Sequence, residues 1–152
     1  MREIIISQAI GEEEIREVFA IRREVFVNEQ KLFQAADVDE DDENSLYLIA
    51  KSNDIITGTV RVFPTGDDDT WVGGRLAVRK KYRGWTTAVL LSREAVNLVK
   101  SKGCRRFIAT IQSQNVNFFK RLGWEPIGDV FDHLGIAHQL MEADLDISGR
   151  RD

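Results

Sequence analysis

A basic turn at residues 79–83 is the first feature of this sequence that could do chemistry. Four cationic side chains follow an apolar segment that ends at Val78: Arg79, Lys80, Lys81 and Arg83. A helical pattern begins near Thr86. A strand, a basic turn and a helix start together favour anion binding, because the first backbone N–H groups of a helix have no partner inside it. The turn has only one glycine, Gly84, so a phosphate-binding turn and an ordinary solvated turn both stay open.

The charge of the whole chain contrasts with this turn. The 152 residues carry a formal net charge of −4, which argues against nucleic-acid binding, since that function needs an excess of Lys and Arg. No apolar segment approaches the roughly 18 residues of a membrane span, and the first residues do not resemble a secretory signal. We therefore expect a cytoplasmic protein without a membrane partner. A basic cluster in an acidic chain predicts a small anionic ligand held at one place.

Cysteine and metal-ligand patterns give little chemistry. The single Cys104 excludes an internal disulfide framework and a cysteine metal site. It stands at the entry to a predicted strand, so we expect a buried structural thiol rather than a nucleophile. The acidic segment near residue 40 lacks the spacing of a calcium-binding loop, and we predict no metal.

Hydrophobic periodicity predicts an α/β fold of the α+β type, with one mixed sheet. The element order is β-α-β-β-β-α-β-α-β-β, with antiparallel hairpins at both ends and a central βαβ crossover. We expect a single domain at 1–147 and a short polar tail at 148–152. Gly73-Gly74, inside a predicted strand, indicates a bulge or a close backbone approach. The predicted strands are Glu3–Ser7, Leu46–Lys51, Ile55–Phe63, Thr70–Val78, Phe107–Ile111, Pro126–Phe131 and Ile136–Leu145, and the helices begin at Gly11, Thr86 and Asn115.

Three segments resemble the GNAT superfamily of N-acetyltransferases, and the resemblance spans Ile4 to Leu145. GRLAVRKKYRGWTTAVLL resembles the family's strand, turn and helix, whose turn follows the pattern Arg/Gln-x-x-Gly-x-Gly/Ala. NVNFFKRLGW resembles its short helix, and GIAHQLMEADL its final strand. IRREVFVNEQ and VDEDDENSLYLIA resemble the ElaA-like branch, and most of all the acetyltransferase domain of nitrogen-starvation N-acetyltransferases. The resemblance implies the acyl-CoA N-acyltransferase fold, acetyl-CoA as co-substrate and a small-molecule amine as acceptor.

The resemblance also implies a coenzyme site. Backbone N–H groups of the turn and helix start would bind the pyrophosphate of coenzyme A. Arg83 would face a phosphate, and the strand before the turn would bulge away from residues 107–111 and expose backbone groups that polarise the thioester. The implied coenzyme-binding residues are Leu76, Ala77, Val78, Arg83, Gly84, Trp85, Thr86, Thr87, Ala88, Asn115 and Phe119.

Two of these residues depart from the family pattern. Thr86 stands where the family prefers Gly, so its hydroxyl either caps the helix or bonds a phosphate, or its bulk weakens the site. Phe119 stands where a Tyr commonly protonates the leaving thiolate, and it has no proton to give. The usual general acid is therefore absent, although water can protonate a thiolate.

Several residues are candidates for the general base: Glu29, Asp37, Asp39, Asp132, His133 and His138. We assign the catalytic role to Glu29, near the expected acceptor cleft, and to His138, because an imidazole ordinarily titrates near pH 6.5. A surface Glu29 and a structural His138 are the alternatives. The acidic segment around Asp37 and Asp39 either attracts a cationic amine or is a solvated loop.

The leading function is acetyl transfer from acetyl-CoA to a primary amine of a small metabolite by direct attack. The N-terminal half also resembles acyl-homoserine-lactone synthases, which share this fold. A third alternative is a non-catalytic CoA-binding or interaction module, since a fold does not fix a function. A homodimer is compatible with the sequence.

Overall fold

The computed structural model describes residues 3–67 and 69–150. Its centre is one seven-stranded sheet in the order β1-β2-β3-β4-β5-β7-β6. All neighbouring strands are antiparallel except β4 and β5, which are parallel and joined by the crossover helix α2. The predicted fold class is confirmed. The strands are β1 Ile5–Gln8, β2 Leu46–Ser52, β3 Ile55–Pro64, β4 Thr70–Val78, β5 Arg106–Gln112, β6 Trp124–His133 and β7 Ile136–Ala143, and the helices are α1 Gly11–Arg22, α2 Trp85–Ser101 and α3 Val116–Arg121.

The core lies on both faces of the sheet. Alternating side chains of β2 point to opposite faces, because the side-chain period of a strand is two residues. Leu48 and Ala50 pack with the α2 residues Leu91 and Val96, whereas Ile49 packs with Val18 of α1 on the other face. No helix in the described ranges is long and apolar enough to cross a membrane.

The first helix changes type before it ends. After Arg22 it continues as a π-helix over Arg23–Glu29, where the helical periodicity predicted ordinary α-helix. Val25 and Phe26 are buried, as the apolar spacing predicted. π-turns are rare and often occur at functional sites, and this one places Glu29 at the open end of β4.

The two glycines of β4 do different things. A Cβ on Gly73 would lie 2.7 Å from Cζ of Phe107, whereas one on Gly74 would meet nothing within 4 Å. Gly73 therefore permits the close approach of the Phe107 ring. The bulge lies just beyond, where Arg75 and Leu76 together oppose Val60.

Strand β5 differs from its prediction. The continuous apolar segment at 107–111 predicted burial on both faces, but Ile108 is only half-buried and Thr110 is exposed. The reason is that Phe107, Ala109 and Ile111 pack with α2, whereas Ile108 and Thr110 face the other side of the sheet, where Thr110 lines open cavities.

Candidate active site

A cleft opens where β4 separates from β5. The two strands pair from Thr70 with Arg106 to Gly73 with Ala109, and their pairing ends there. Arg75, in the bulge that follows, has φ 51, in the left-handed region that non-glycine residues rarely adopt. A bulge bends its strand, so the end of β4 turns away from β5 and leaves the sheet open.

One side of the cleft is a cavity of about 420 Å³. The exposed ring of Trp85 stacks on Phe118 at 4.7 Å and forms one wall. Most of the residues that the sequence assigned to coenzyme binding meet here, although Thr86 and Thr87 do not line the cavity. Those that do are Leu76, Ala77, Val78, Arg83, Gly84, Trp85, Ala88, Asn115 and Phe119.

The start of α2 is open to an anion. Its N-cap is Gly84, which is extended at φ −178, and no side chain caps the helix. No acidic residue lies in its first turn. The first backbone N–H groups of this helix of 17 residues therefore keep their hydrogen-bonding capacity and the positive end of the helix dipole. The Thr86 hydroxyl does not cap the helix, and its backbone is not in the left-handed region, so Thr is tolerated without strain.

The four cationic side chains of the turn differ in their contacts. Arg79 binds Glu17 and Glu24 at 3.0 and 3.1 Å, which ties the turn to the first helix. Lys80 and Lys81 are exposed, and the ammonium of Lys81 lies 5.7 Å from the centre of the Tyr82 ring.

Arg83 has the most specific contacts of the four. Its guanidinium donates to both carboxylate oxygens of Glu29, at 2.5 and 2.8 Å, and to the backbone oxygen of Val78 at 2.8 Å. Two residues assigned separate roles from the sequence are thus joined as an ion pair across the cavity edge. The Arg83 hydrogen bond lowers the pKa of Glu29, so Glu29 is a weaker base in this arrangement.

The other side of the cleft consists of two cavities, of about 170 and 260 Å³. His133 and His138 line both, and their rings meet edge to face at 5.2 Å. Nδ1 of the buried His138 lies 2.8 Å from the backbone oxygen of Ile136. A carbonyl can only accept, so Nδ1 carries the proton in the neutral ring and Nε2 is left as a basic nitrogen. Asp132, another candidate base, is exposed on β6.

The acidic segment does not behave as either sequence interpretation expected. Asp37 is 2% exposed and binds the fully buried Arg22 at 2.7 Å. Asp42 also binds Arg22 at 2.7 Å, and Asp39 binds Arg61 through both oxygens. These carboxylates are therefore neither a solvated loop nor an attractor for a cationic amine. Burial requires that such charges be paired, and the arginines that pair with them lie far away in sequence.

Neither Phe119 nor Tyr47 supplies the missing acid in this arrangement. Phe119 is buried, with its ring edge to face against Phe118 and Trp124. The hydroxyl of Tyr47 donates to Asp42 at 2.8 Å. Burial and this hydrogen bond raise the pKa of Tyr47 to about 12, and the residue lies outside the described cavities.

Sequence reasoning missed two residues at the centre of the cleft. Gln30 lines two of the cavities and accepts a hydrogen bond from Gln112 at 3.1 Å, which connects the end of the π-helix to β5. Arg75 lines both cavities on the histidine side of the cleft. An arginine directly after two glycines inside a strand was the available signal for Arg75, but only the register of β3 and β4 shows the bulge.

Comparison with known proteins identifies the family of this chain. The sequence profile of the acetyltransferase (GNAT) domain matches residues 6–145. An uncharacterized N-acetyltransferase of Bacillus subtilis, YjcF, is 26% identical over 137 residues, which cover 90% of this chain and 96% of that protein.

Solved structures show the same fold. Escherichia coli ElaA is 21% identical, with a TM-score of 0.82 over 95% of this chain and 100% of that one. A CoA-dependent acyl-homoserine lactone synthase, BjaI, is 17% identical, with a TM-score of 0.75 over 97% of this chain and 86% of that one.

Proposed function

This chain belongs to the GNAT acetyltransferase family, and we propose that it transfers an acetyl group from acetyl-CoA to a primary amine of a small metabolite. One observation carries the proposal. The coenzyme-side cavity and the first acceptor-side cavity share Gln30, Leu76, Asn115 and Phe119, so they meet at the bulge of β4. A thioester at this junction is open to an amine from the opposite side, which is what direct attack requires.

The start of α2 is the proposed site for the pyrophosphate of the coenzyme. Free backbone N–H groups and the helix dipole favour a phosphate there, and Gly84 leaves room for its close approach because a Cβ would meet nothing within 4 Å. Lys80 and Lys81 would add charge at the mouth. Arg83 would contribute through the turn that it fixes, and would contact a phosphate directly once its pair with Glu29 opens.

The chemistry proceeds by displacement at the thioester carbonyl. The amine nitrogen forms a bond to the carbonyl carbon, the carbon–sulfur bond breaks, and the amine gives up a proton. Backbone groups at Leu76 and Ala77, beside the bulge, are suited to polarise the carbonyl oxygen. Nε2 of His138 is the proposed proton acceptor, with Glu29 as the second candidate. Water protonates the thiolate, since Phe119 cannot.

The space for the acyl group favours a short chain. A small apolar cavity of about 40 Å³ adjoins the junction and is bounded by Leu76, Phe107 and Phe119. At about 10–15 Å³ for each water-sized position, it holds about three such positions. Acetyl fits this volume better than the long acyl chain that an acyl-homoserine-lactone synthase, the alternative enzyme, would transfer.

Three expectations from the sequence stay predictions. They are the assignment to the nitrogen-starvation branch, the cytoplasmic location and the homodimer.

Thermal unfolding with and without acetyl-CoA tests the coenzyme site. A hundredfold excess over Kd adds about 2.7 kcal/mol, which raises Tm by roughly 5–10 °C for a domain of this size. Gly84→Asp should remove the shift, because its carboxylate caps α2 and repels phosphate. Ser101→Asp adds the same charge at the other end of α2 and should keep the shift. No shift in the unmodified protein at millimolar acetyl-CoA would contradict the proposal.

An amine screen for thiol release tests the transfer itself. In a responding reaction, His138→Gln should lower kcat by about 10²–10⁴-fold if His138 is the base. Glu29→Gln should then change kcat little. The reverse pattern would assign the base to Glu29, and coenzyme binding without thiol release from any amine would favour the non-catalytic module.

A further inference from the structure

The acceptor-side cavities are lined by cations and histidines rather than by acids. Arg75, His133 and His138 line both cavities, and Arg61 lines the second. Within residues 3–67 and 69–150, no Asp or Glu lines either one. The aspartates that pair with the two arginines thus contact them from outside the cavity walls. The only charged side chains that line these two cavities within the described residues are therefore arginines.

Both arginines keep donors that the protein does not use. Nη1 and Nη2 of Arg61 bind Asp39 at 2.6 and 2.8 Å, but its buried Nε has no hydrogen-bond partner among the described residues. Arg75 bonds Asp37 and Asp39 through Nε and Nη2, and no hydrogen bond within the described ranges involves its Nη1. A buried donor without a partner costs free energy, which a ligand acceptor atom would recover.

The position of Arg75 is strongly constrained. Its backbone is left-handed, at φ 51, which costs a non-glycine residue free energy and is often found at functional sites. Its guanidinium lies 4.9 Å from the centre of the Phe33 ring, which lines the same cavity. Burial, and then the charge of Arg61, lower the pKa of Arg75. The charged guanidinium is thus less stable here than in water, although two aspartates are near.

We propose that the acceptor is an amine that also carries an anionic group, a carboxylate or a phosphate, which binds Arg75 and Arg61. This inference rests on the proposed function and names the class of acceptor, to which free amino acids belong. Each guanidinium keeps one nitrogen that the protein does not use, and a carboxylate or a phosphate has enough acceptor oxygens to take a charge-assisted hydrogen bond from both. Because the arginines line the cavities and their aspartates do not, they also disfavour the ammonium form of the acceptor and so increase the fraction of neutral amine that can attack.

Product binding tests the inference without requiring transfer. Calorimetry would compare three pairs that differ in the anionic group: N-acetyl-L-leucine with N-(3-methylbutyl)acetamide, N-acetyl-β-alanine with N-propylacetamide, and N-acetyl-O-phosphoethanolamine with N-(2-hydroxyethyl)acetamide. We expect the anionic member of at least one pair to bind tenfold tighter or more. The first two pairs report on a carboxylate and the third on a phosphate. Equal affinities in every pair, or no binding of any anionic member at millimolar concentration, would overturn the inference.

Substitution of Arg75 assigns the effect to this side chain. Arg75→Gln should abolish the preference for the anionic member and leave the neutral member unchanged, whereas Arg75→Lys, which keeps the charge, should retain part of it. Arg121→Gln, at an exposed position of α3, is the matched control and should keep the full preference. A preference that survives in Arg75→Gln would overturn the role of Arg75. If the Gln variant does not fold, a preference of unchanged magnitude in Arg75→Lys would overturn it instead.

The two proposals fail in different ways. Absence of thiol release from every amine contradicts acetyl transfer but leaves the product affinities as a test of the anion site. Thiol release with equal affinities in all three pairs supports transfer and removes the anionic acceptor.

Discussion

The two sides of the cleft use charge in opposite ways. On the acceptor side, Arg22, Arg61 and Arg75 are buried or half-buried and share three aspartates. On the coenzyme side, the pair of Arg83 and Glu29 is partly exposed, with side-chain exposures of 42% and 33%, and no side chain caps the start of α2. The buried ion pairs hold the structure of the acceptor side, whereas the exposed ion pair of the coenzyme side can exchange its partners.

The difference follows from solvation. A buried charge that loses its partner keeps its full desolvation cost, so the acceptor side holds its geometry before a substrate arrives. An exposed pair is screened by water and salt, so the coenzyme side can open and close at little cost. Four changes test this contrast, from the most costly to the least.

Removal of Arg22 should have the largest effect. Arg22→Met leaves Asp37 and Asp42 buried beside a neutral side chain, and loss of one partner of a buried pair costs about 3–5 kcal/mol. Urea denaturation measures the change in the free energy of unfolding. Arg121→Met, at an exposed site, should change it by less than about 0.5 kcal/mol. If Arg22→Met lowers the free energy of unfolding by less than 1 kcal/mol, the buried ion pairs stabilise the protein no more than the exposed pair, and the contrast is wrong.

High pH should affect the buried network next. The pKa of Tyr47, about 12, lies above the ordinary tyrosine value of 10.0. The hydroxyl of Tyr47 therefore stabilises the fold fully below about pH 10 and loses this contribution as the pH rises to about 12. At about 1.4 kcal/mol per unit, the loss is about 2–3 kcal/mol. The free energy of unfolding of Tyr47→Phe should fall less steeply over this range. A slope for Tyr47→Phe identical to that of the unmodified protein would contradict the assignment.

Closing the space at Gly73 should cost somewhat less. Gly73→Ala places a methyl group 2.7 Å from the Phe107 ring, and overpacking of this kind costs about 1–3 kcal/mol. Gly74→Ala adds the same atom where nothing lies within 4 Å and should be nearly neutral. Equal Tm values for the two variants would show that the ring moves freely.

The exposed pair should give the smallest change in stability. Glu29→Gln should alter the free energy of unfolding by less than about 1 kcal/mol. It should also tighten acetyl-CoA binding in calorimetry, because Arg83 is then free to meet a phosphate, and added salt should reduce this gain. The lowered pKa of Glu29 means that the pair stabilises above about pH 4.5 and weakens as the pH falls. If Glu29→Gln lowers the free energy of unfolding by several kcal/mol, the exposed pair stabilises the protein as strongly as the buried pairs, and the contrast is wrong.

Local patterns predicted the elements but not the partners. The strand at Thr70–Val78 has the predicted bounds, because turn residues and β-branched residues mark its ends. The pairing of Asp37 with Arg22 and of Asp39 with Arg61 was missed, since a run of acids resembles a solvated loop until the sheet brings distant arginines to it. The pair of Glu29 and Arg83 was missed for the same reason, at a separation of 54 residues. Residue types predicted that both were functional candidates, but only the fold shows that they meet.

The rate at which the Cys104 thiol is modified reports on local unfolding of the protein. The thiol is buried, and burial raises its pKa, so little reactive thiolate exists while the chain is closed. A disulfide reagent should modify it only during excursions that expose the end of α2 and the start of β5. When reclosing is faster than modification, the labelling rate reports the population of the open form. The released thiol of a coenzyme should therefore react at once, and the protein's own thiol slowly.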